Sequence, residues 1–522
     1  MRWRKDLSLS KNIFNLPDIV RTGSRFRNHI GKYRLHRTND CVSCGKCVEI
    51  CPYGVHVMRR GKVSVKNHYL CVGQDCREPC YRACPEGALL ISRNPTFDAM
   101  GDYRWTSDLL ASTWYMAEFG GVPPGGLEYK VGASGGGFDK LRIMMKKAGP
   151  GDEDRLDEGV DISLNLNRRN DSAHRIRIEV PFYGGGMSYG SVSIATILSR
   201  MKAAVALGTF CCTGEGGYPD ELKPYDDHVI TQVATGLFGV REETIKRVKI
   251  VEFKYAQGAK PGLGGHLLAD KVTTGVARMR EAVIGYPLFS PFPFHSVYSV
   301  EDHKKHVDWI KAINPMALVS VKVSTPVDVD MVAVGSYYAG AHIIHLDGSY
   351  GGTGAAPEIA KKNIAMPIEY AVPKVHQFLK EEGVRDKITV IASGGIRTPH
   401  DVAKIIALGA DGVCTGTADL VALECIRCHN CESGRGCARG IATTDPELMK
   451  LIDIEWGTRR IVNMFLAWRK EIIRILRRLG MKSIRELVGR KDCLVHLDYL
   501  KGQERDFQDL GIIKEVAAMG KD

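Results

Sequence analysis

The stretch Ile388-Thr-Val-Ile-Ala-Ser-Gly-Gly-Ile-Arg397 indicates how most of the chain folds. Its first five residues are typical of a strand buried on both faces, and the glycines after them suit a loop where backbone approaches a ligand. The same order of strand, glycine-rich loop and helix recurs along the chain. We predict strands at Ile176–Phe182, Thr209–Cys212, Ile250–Lys254, Leu318–Val323, His342–Leu346, Ile388–Ala392 and Gly412–Cys414. We predict helices at Ser193–Ala206, Ser299–Ile313, Pro367–Glu382 and His400–Leu408.

This alternation over about 260 residues predicts the fold class. It favours an α/β protein whose centre is a (β/α)8 TIM barrel, which we place at residues 181–440. A doubly wound sheet is the alternative. Such sheets usually carry Gly-x-Gly-x-x-Gly after the first strand, and the sequence has no segment with that spacing. A nicotinamide site of that type is therefore not expected.

Glycine-rich segments follow six of the predicted strands. Because the carboxyl ends of barrel strands form the ligand-binding face, these segments should meet in one site. The two that follow the last two strands are where such a barrel builds a phosphate site and holds flavin mononucleotide, FMN. The six segments are Gly186–Gly190, Thr213–Gly217, Gln257–His266, Asp347–Gly354, Ser393–Arg397 and Thr415–Thr417.

Eight of the sixteen cysteines lie in residues 41–84, in two runs that each end in Cys-Pro. The spacing Cys-x2-Cys-x2-Cys-x3-Cys-Pro of the first run is typical of two-cluster ferredoxins, in which the last cysteine of each run binds the other cluster. A zinc module is the alternative, but eight cysteines with two Cys-Pro ends fit it poorly. We therefore predict one 4Fe–4S cluster on Cys41, Cys44, Cys47 and Cys84, and a second on Cys71, Cys76, Cys80 and Cys51. The segment resembles a bacterial-type ferredoxin domain, which implies transfer of single electrons.

A third group of cysteines follows the last predicted strand, beside the expected phosphate site. Cys425, Cys428, Cys431 and Cys437 offer four thiolates, which is enough for a further 4Fe–4S cluster. Zinc is again the alternative. An iron–sulfur centre at this place would give electrons from the N-terminal clusters a route into the barrel.

Composition and charge restrict the remaining possibilities. The apolar and charged fractions, 44% and 25%, are ordinary for globular chains. The net charge of +12 resides in residues 1–40 and 459–491, and a nucleic-acid groove is not expected because it would place charge on the folded body. The sequence shows neither a secretory signal nor an apolar run long enough for a transmembrane segment, so the cysteines predict a reducing, cytoplasmic location.

The expected organisation has five parts. These are a basic N-terminal arm (1–40) that grips a partner, a ferredoxin-like domain (41–95), an irregular connecting region (96–180), the barrel (181–440) and a C-terminal helical extension (441–522). Within the extension, Arg459–Leu479 reads as an amphipathic helix. We expect it to dock on the barrel with its arginines outward, and a membrane-surface helix is the alternative.

Many of these segments, in the same order, resemble the FMN-binding synthase domain of glutamate synthase large subunits. They are Gly186–Gly190, Thr213–Gly217, Gln257–Gly265, Gly351–Gly354, Ser393–Arg397 and Cys425–Thr443. With the N-terminal ferredoxin module, the chain looks like the archaeal type. The resemblance implies an oxidoreductase that binds FMN in a barrel and reductively aminates 2-oxoglutarate to L-glutamate through 2-iminoglutarate.

The resemblance also implies roles for single residues. Met187 and Ser188 line the flavin, Gln257 and Lys322 contact its ring system, and the remaining FMN-binding residues surround the phosphate: Gly351, Gly352, Thr353, Gly394, Gly395, Gly416 and Thr417.

On the substrate side, Lys260 and Arg280 match positions that hold the two carboxylates of 2-oxoglutarate. A dicarboxylate suits two cations, and arginine binds a carboxylate with two hydrogen bonds. Glu215 is implied in the transfer of ammonia or a proton, and His266 can donate a hydrogen bond to a carboxylate.

The sequence departs from the family pattern at three places. The family commonly has Gln where His266 stands, Pro-Pro-His-His where this chain reads Pro291-Phe-Pro-Phe-His295, and a Ser-Gly-His type of sequence where it reads His345-Leu-Asp347. His266 and Phe294 raise an alternative: a related FMN and iron–sulfur enzyme that acts on another 2-oxo acid or on N-methylglutamate. Large bacterial and plant relatives have three cysteines and a 3Fe–4S cluster where this chain has four, so we predict 4Fe–4S.

Partners follow from the same resemblance. No amidotransferase domain with an N-terminal nucleophilic cysteine precedes the barrel, so we expect ammonia from a separate glutaminase subunit or from solution. Electrons should enter at the ferredoxin module from a ferredoxin or an oxidoreductase subunit, and we expect an oligomer. A non-catalytic electron-transfer subunit is the remaining alternative; Lys260, Arg280 and Gln257 argue against it, because a relay needs no dicarboxylate pocket.

Overall fold

The computed structural model describes residues 16–27, 29–145, 159–290, 294–354, 356, 359–361, 363–432 and 435–498. Its strands are β1 (Tyr33–Arg37), β2 (His56–Arg59), β3 (Lys62–Val65), β4 (Leu89–Arg93), β5 (Leu141–Ile143), β6 (Leu164–Asn165), β7 (Arg177–Ile178), β8 (Phe182–Gly184), β9 (Cys211–Cys212), β10 (Val229–Ala234), β11 (Ile250–Lys254), β12 (His266–Leu267), β13 (Leu288–Phe289), β14 (Leu318–Val323), β15 (Ile343–Asp347), β16 (Thr389–Ser393), β17 (Gly412–Thr415) and β18 (Leu494–His496).

The α-helices are α1 (Lys46–Ile50), α2 (Pro95–Asp98), α3 (Ser107–Phe119), α4 (Ile194–Ala206), α5 (Glu242–Arg247), α6 (Thr274–Arg280), α7 (Val300–Ile313), α8 (Val329–Tyr338), α9 (Ile368–Glu381), α10 (Pro399–Ala407), α11 (Thr417–Ala422), α12 (Pro446–Met449) and α13 (Ile454–Leu479). Several begin where the sequence supplies a capping side chain. Ser193, Ser299 and Thr398 each accept a backbone N–H from the first turn of the helix that follows.

A closed barrel of eight parallel strands forms the centre, in the order β8, β9, β10, β11, β14, β15, β16 and β17, with β17 paired back to β8. Every residue of β10, β14, β15, β16 and β17 is buried, as expected for strands covered on both faces. The predicted TIM barrel is confirmed. Helices α4, α7, α9 and α10 agree with the predicted ones to within one residue at each end.

Two strands differ from the prediction. The barrel strand β8 begins only at Phe182; the upstream residues Arg177–Ile178 pair instead with Leu164–Asn165 as an antiparallel ribbon. Strand β10 was not predicted. The polar residues Thr231 and Gln232 interrupt its apolar pattern. Gln232 points into the polar interior of the barrel, where its Nε2 donates to Glu252 Oε1 at 2.7 Å.

The ribbon of β6 and β7 closes the amino-terminal end of the barrel. Leu164, Leu166 and Ile178 are fully buried and pack with the first residues of barrel strands, among them Ile250 and Leu318. The barrel is therefore open to ligands only at the carboxyl ends of its strands.

The N-terminal module consists of two antiparallel pairs, β1 with β4 and β2 with β3. Strand β3 lies between the two runs of cysteines, and β4 follows the second run. Strand β1 lies in the segment that was predicted to be an arm, so the module starts earlier than residue 41. Arg25 of the same segment donates to the carbonyls of Leu423 and Arg439, and residues 1–15 fall outside the described part.

Helix α13 packs its apolar face on α4 and α3, which confirms the docked arrangement. Its arginines do not all point outward: Arg460 is fully buried and donates to the carbonyls of Ala422 and Thr22. Among the described residues no helix is both long and apolar enough to span a membrane.

Candidate active site

A large cavity opens at the carboxyl ends of the barrel strands and encloses about 2390 Å³ including its solvent-filled mouth. All residues predicted to contact flavin or substrate line it. They are Met187, Ser188, Glu215, Gln257, Lys260, His266, Arg280, Lys322, Gly351, Gly352, Thr353, Gly394, Gly395, Gly416 and Thr417. The cysteines Cys425, Cys428, Cys431 and Cys437 line the same cavity. The structure therefore brings together segments that are more than 200 residues apart in the chain.

Close backbone approach explains two of the glycines on the phosphate side. Gly394 has φ +87°, and a Cβ there would lie 2.3 Å from the carbonyl oxygen of Gly348. A Cβ on Gly352 would lie 2.6 Å from Thr417 Oγ1. Gly416 differs, because a Cβ at that position would meet no protein atom within 4 Å. The missing side chain therefore leaves space in the cavity, whereas it is not needed to avoid a clash with another part of the protein.

A buried ionic network holds Lys322 below this cavity. Lys322 of β14 lies 3.3 Å from Asp347 Oδ2, and the backbone N–H of Gly258 donates to the same oxygen at 3.0 Å. Burial alone would lower the pKa of Lys322, but the carboxylates of Asp347 and Glu252 raise it above its usual value. Lys322 is therefore a fixed cation.

His345 connects this network to the interior of the barrel. Ser393 donates its only hydroxyl proton to Asp347 Oδ1 at 2.6 Å, so the contact of 2.8 Å between Ser393 Oγ and His345 Nε2 requires a proton on that nitrogen. His345 Nδ1 lies 3.0 Å from Glu252 Oε2. Burial would raise the pKa of Glu252, but His345 and Lys322 lower it to about 2. Because an ionised carboxylate only accepts, Glu252 is the acceptor in this contact.

The part of the cavity predicted to bind substrate carries further charged residues. Lys260 is buried and its Nζ donates to the carbonyl of Gly264 at 3.1 Å. Arg280 Nη2 donates to Ser188 Oγ at 2.9 Å and to the carbonyl of Tyr189 at 3.0 Å. Its Nε is buried without a partner among the described residues. A buried guanidinium with an unused donor suits an anionic ligand.

The pKa values of these side chains reflect their burial and, for Lys260 and Glu215, the charges of neighbouring lysines. Burial and neighbouring Lys254 lower the pKa of Lys260 to about 8. Burial lowers the pKa of Arg280 to about 10. For Glu215, burial alone would raise the pKa, but Lys254, at 3.1 Å, and Lys260 hold it below its usual range. Glu215 is therefore ionised and offers a hydrogen-bond acceptor at the mouth.

His266 and Phe294, two of the residues that depart from the family pattern, differ in their position relative to the cavity. His266 lines the cavity, with its Nε2 3.6 Å from Glu432 and its ring stacked on Phe289. Phe294 is buried in an aromatic group with Tyr255 and His306 and is not among the residues that line the cavity. Residues 291–293 of the same segment lie outside the described part.

The N-terminal cysteines surround two separate cavities. Cys41, Cys44, Cys47 and Cys84 line the first, and Cys51, Cys71, Cys76 and Cys80 line the second. These are the two sets of four that the spacing of the cysteines predicts, including the exchange of the last cysteine of each run. Within the described residues, no group of three or more His, Cys, Asp or Glu side chains converges closely enough for a single metal ion.

Sequence reasoning missed several polar residues of the site. Lys254, Gln232 and Asp347 line the cavity, and Glu252 lies beneath it. A signal was present for Lys254, which ends a buried strand with a charge just as Lys322 interrupts one, and the two are neighbours across β11 and β14. Glu252 interrupts the same strand with a charge, but its partners come from other strands and could not be read from the sequence.

Family comparisons agree with this geometry. The family model described as a conserved region in glutamate synthase matches residues 138–482, and the 4Fe-4S binding domain model matches residues 36–55. The archaeal-type glutamate synthase (NADPH) of Thermotoga maritima is 38% identical over 477 residues, covering 87% of this chain and 92% of that protein. The archaeal glutamate synthase (NADPH) of Methanocaldococcus jannaschii is 44% identical over 341 residues, 65% of this chain and 66% of that protein.

Among solved structures, the flavin-binding domain of baker's yeast flavocytochrome b2 is 18% identical with a TM-score of 0.42, over 70% of this chain and 78% of that one; similarity at this level supports no inference. The family model and the long relatives do support one. With a matching barrel region, a 4Fe–4S binding motif and relatives aligned over most of both chains, this chain belongs to the glutamate synthase family of oxidoreductases.

Proposed function

We propose that this chain is the synthase subunit of a glutamate synthase, which converts 2-oxoglutarate, ammonia and two electrons to L-glutamate. The observation that carries the proposal is the single cavity at the barrel mouth. Flavin-facing glycines, two buried cations for a dicarboxylate and four cysteines all line it. An electron carrier, an acceptor of electrons and an anionic substrate would thus lie within one space.

The residues of the cavity fit FMN. Glycines at the ends of β15, β16 and β17 would surround its phosphate, and Gly416 leaves room there that no protein atom fills. Met187, Ser188 and Gln257 would line the ring system, and Lys322 would place its cation beside it. Reduced FMN, when bound, supplies the hydride that the amination requires.

Lys260 and Arg280 would bind the two carboxylates of 2-oxoglutarate. Ammonia adds to the keto carbon and water leaves, which gives 2-iminoglutarate; a hydride and a proton then complete L-glutamate. Glu215, ionised beside Lys254, would accept a hydrogen bond from the incoming ammonia and orient it. His266, which also lines the cavity, would donate a hydrogen bond to a substrate carboxylate.

The cysteines fit three 4Fe–4S clusters. Each N-terminal set of four lines its own cavity, as a cubane requires when its ligands stand apart around a core of iron and sulfide. Electrons would enter there from a ferredoxin or an oxidoreductase subunit, with NADPH as the source that the relatives' names suggest. Ammonia would come from a separate glutaminase subunit or from solution, in an oligomer located in the cytoplasm.

His266 favours one alternative within the same chemistry. Because it lines the cavity where the family commonly has glutamine, the substrate could be another 2-oxo acid or N-methylglutamate. Phe294 gives this alternative no support, since it packs away from the cavity.

The test is anaerobic purification with counts of flavin, iron and sulfide, followed by assay with dithionite-reduced viologen, ammonium and 2-oxoglutarate. We expect one FMN per chain, about twelve irons for three 4Fe–4S clusters, and formation of glutamate. Turnover with another 2-oxo acid but not with 2-oxoglutarate would favour the alternative substrate.

The two arginines of helix α6 provide a matched pair of variants. Arg280 is buried in the cavity, and Arg278 is exposed on the same helix. Loss of a charge-assisted contact costs about 1.5–3 kcal/mol, so R280A should raise KM for 2-oxoglutarate about 10- to 100-fold. R278A should leave it unchanged. Equal KM values in R280A and the parent protein would contradict the assigned substrate clamp.

A further inference from the structure

A pair of side chains joins the two N-terminal cavities. Arg37, the last residue of β1, lines the first cavity, and His56, the first residue of β2, lines the second. Arg37 Nη1 donates to Cys41 Sγ at 3.3 Å, and both of its Nη atoms lie 3.7 Å from Cys47 Sγ. The guanidinium thus contacts two of the four cysteines expected to hold the first cluster.

The same guanidinium contacts His56, and this contact determines the direction of the next hydrogen bond. Arg37 Nη2 lies 3.4 Å from His56 Nδ1, and arginine can only donate, so Nδ1 is the acceptor. The hydrogen of the neutral ring therefore resides on Nε2. His56 Nε2 lies 3.3 Å from Cys80 Sγ and donates to it. Cys80 is one of the four cysteines of the second cavity.

Burial strengthens this arrangement. His56 is 2% exposed, and Cys47 and Cys80 are 7% and 8% exposed, so the contacts lie in a region of low dielectric constant. Hydrogen bonds and positive charge at cysteine sulfurs stabilise the extra electron of a reduced cluster and raise its reduction potential. Because one guanidinium serves both cavities, its effect is not confined to one cluster.

We propose that Arg37 and His56 form a hydrogen-bonded bridge that raises the reduction potentials of both N-terminal clusters together. Arg37 acts on the first cluster directly and on the second through the orientation of His56. This inference rests on the proposed iron–sulfur function. It gives β1, which lies outside the cysteine-rich segment, a role in electron entry.

The test is a potentiometric titration of the full-length, cluster-loaded protein, followed by electron paramagnetic resonance. We expect R37M to lower both N-terminal potentials and H56L to lower mainly the second. The expected fall is at least tenfold in the ratio of reduced to oxidised cluster at a fixed ambient potential, which is about 59 mV for one electron. The potentials of the flavin and of the third cluster should not change.

Three further variants separate the bridge from simple charge or fold effects. R59M removes an exposed arginine from β2, the strand that begins with His56, and should leave the potentials unchanged. H56Q keeps an acceptor for Arg37 and a donor for Cys80 and should restore the potentials lost in H56L. If R37M fails to assemble clusters, R37K decides. It keeps the charge but cannot reach both cavities, so it should lower the second potential.

Fully loaded R37M or R37K with unmoved potentials would overturn the bridge, as would a shift in R59M equal to that in R37M. A parent protein whose iron count lacks the two N-terminal clusters would overturn the proposed function itself. The two failures are therefore distinguished by the metal analysis.

Discussion

Lys260 illustrates how burial sets the behaviour of a single residue. It lies among other cations at the barrel mouth, and its pKa falls to about 8 from the usual 10.5 of lysine. A lysine that binds a carboxylate must be charged. Its binding power is therefore present below about pH 8 and is lost as the pH rises through that value.

This gives a prediction about pH. With a pKa of about 8, the charged fraction of Lys260 falls from about one half at pH 8 to about one tenth at pH 9, so KM for 2-oxoglutarate should rise about fivefold over this interval. The measurement is steady-state KM from pH 6.5 to 9.5 at saturating ammonia. K260R keeps its charge throughout this range and should show a flat profile. A rise in K260R as steep as in the parent protein would show that another group titrates.

Single residues also show where sequence reasoning stops. The glycine-rich segments that line the cavity were predictable because they follow the barrel strands and because their order resembles a family. The partners of Glu252 were not predictable. His345, Ser320 and Gln232 come from three different strands, and only the register of the closed barrel brings them to one carboxylate.

At the scale of elements, strands with continuous apolar runs were the most predictable. Strands β11 and β14 have the predicted bounds. The short β8 was placed too early because Ile176 and Ile178 alternate with charged residues in a strand-like pattern. These two isoleucines contribute to the floor of the barrel rather than to its wall. Strand β1 has no cysteine and an alternating, basic pattern, so nothing in it indicated a link to the ferredoxin module until its pairing with β4 was seen.

The loop between β17 and α11 carries a prediction of its own. A methyl group on Gly416 would meet no protein atom within 4 Å, and its φ of −139° is accessible to alanine. G416A should therefore fold normally but crowd the phosphate of FMN. Crowding of this kind costs about 1–3 kcal/mol, which should weaken FMN binding about 5- to 150-fold.

The measurement is the dissociation constant of FMN from the apoprotein, followed by flavin fluorescence, with thermal unfolding as a check on folding. G121A is the control, because a Cβ at Gly121 also meets nothing within 4 Å but lies away from the cavity. Unchanged FMN binding in G416A would contradict the prediction that the phosphate of FMN binds at the end of β17.

On the scale of the whole molecule, the position of the third group of cysteines links the two halves. Arg427, between two of these cysteines, donates to Asp102 in the segment that leads from the ferredoxin module to α3. Arg25 donates to the carbonyls of Leu423 and Arg439, which flank the loop that carries these cysteines. The loop is therefore held between the N-terminal module and the barrel, where an intermediate electron carrier would be needed.

Removal of one cysteine tests this route. C437S should lower the iron content by about four per chain, one 4Fe–4S cluster, while FMN remains bound. Glutamate formation with electrons supplied through the N-terminal clusters should fall, whereas photochemical reduction of the flavin should persist. C493S, which changes a buried cysteine outside the three groups, is the control. Full activity in C437S without the cluster would exclude it from the electron route.

The ribbon of β6 and β7 has a consequence for how substrates and products reach and leave the barrel cavity. Because leucine and isoleucine side chains of this ribbon fill the base of the barrel, we expect the residues that the structure describes to leave no passage along the barrel axis. Substrates and the amino acid product would therefore enter and leave the cavity by the same opening, at the carboxyl ends of the barrel strands. A partner that delivers ammonia would therefore bind over this opening. Its position would influence the order in which substrates bind and the product is released.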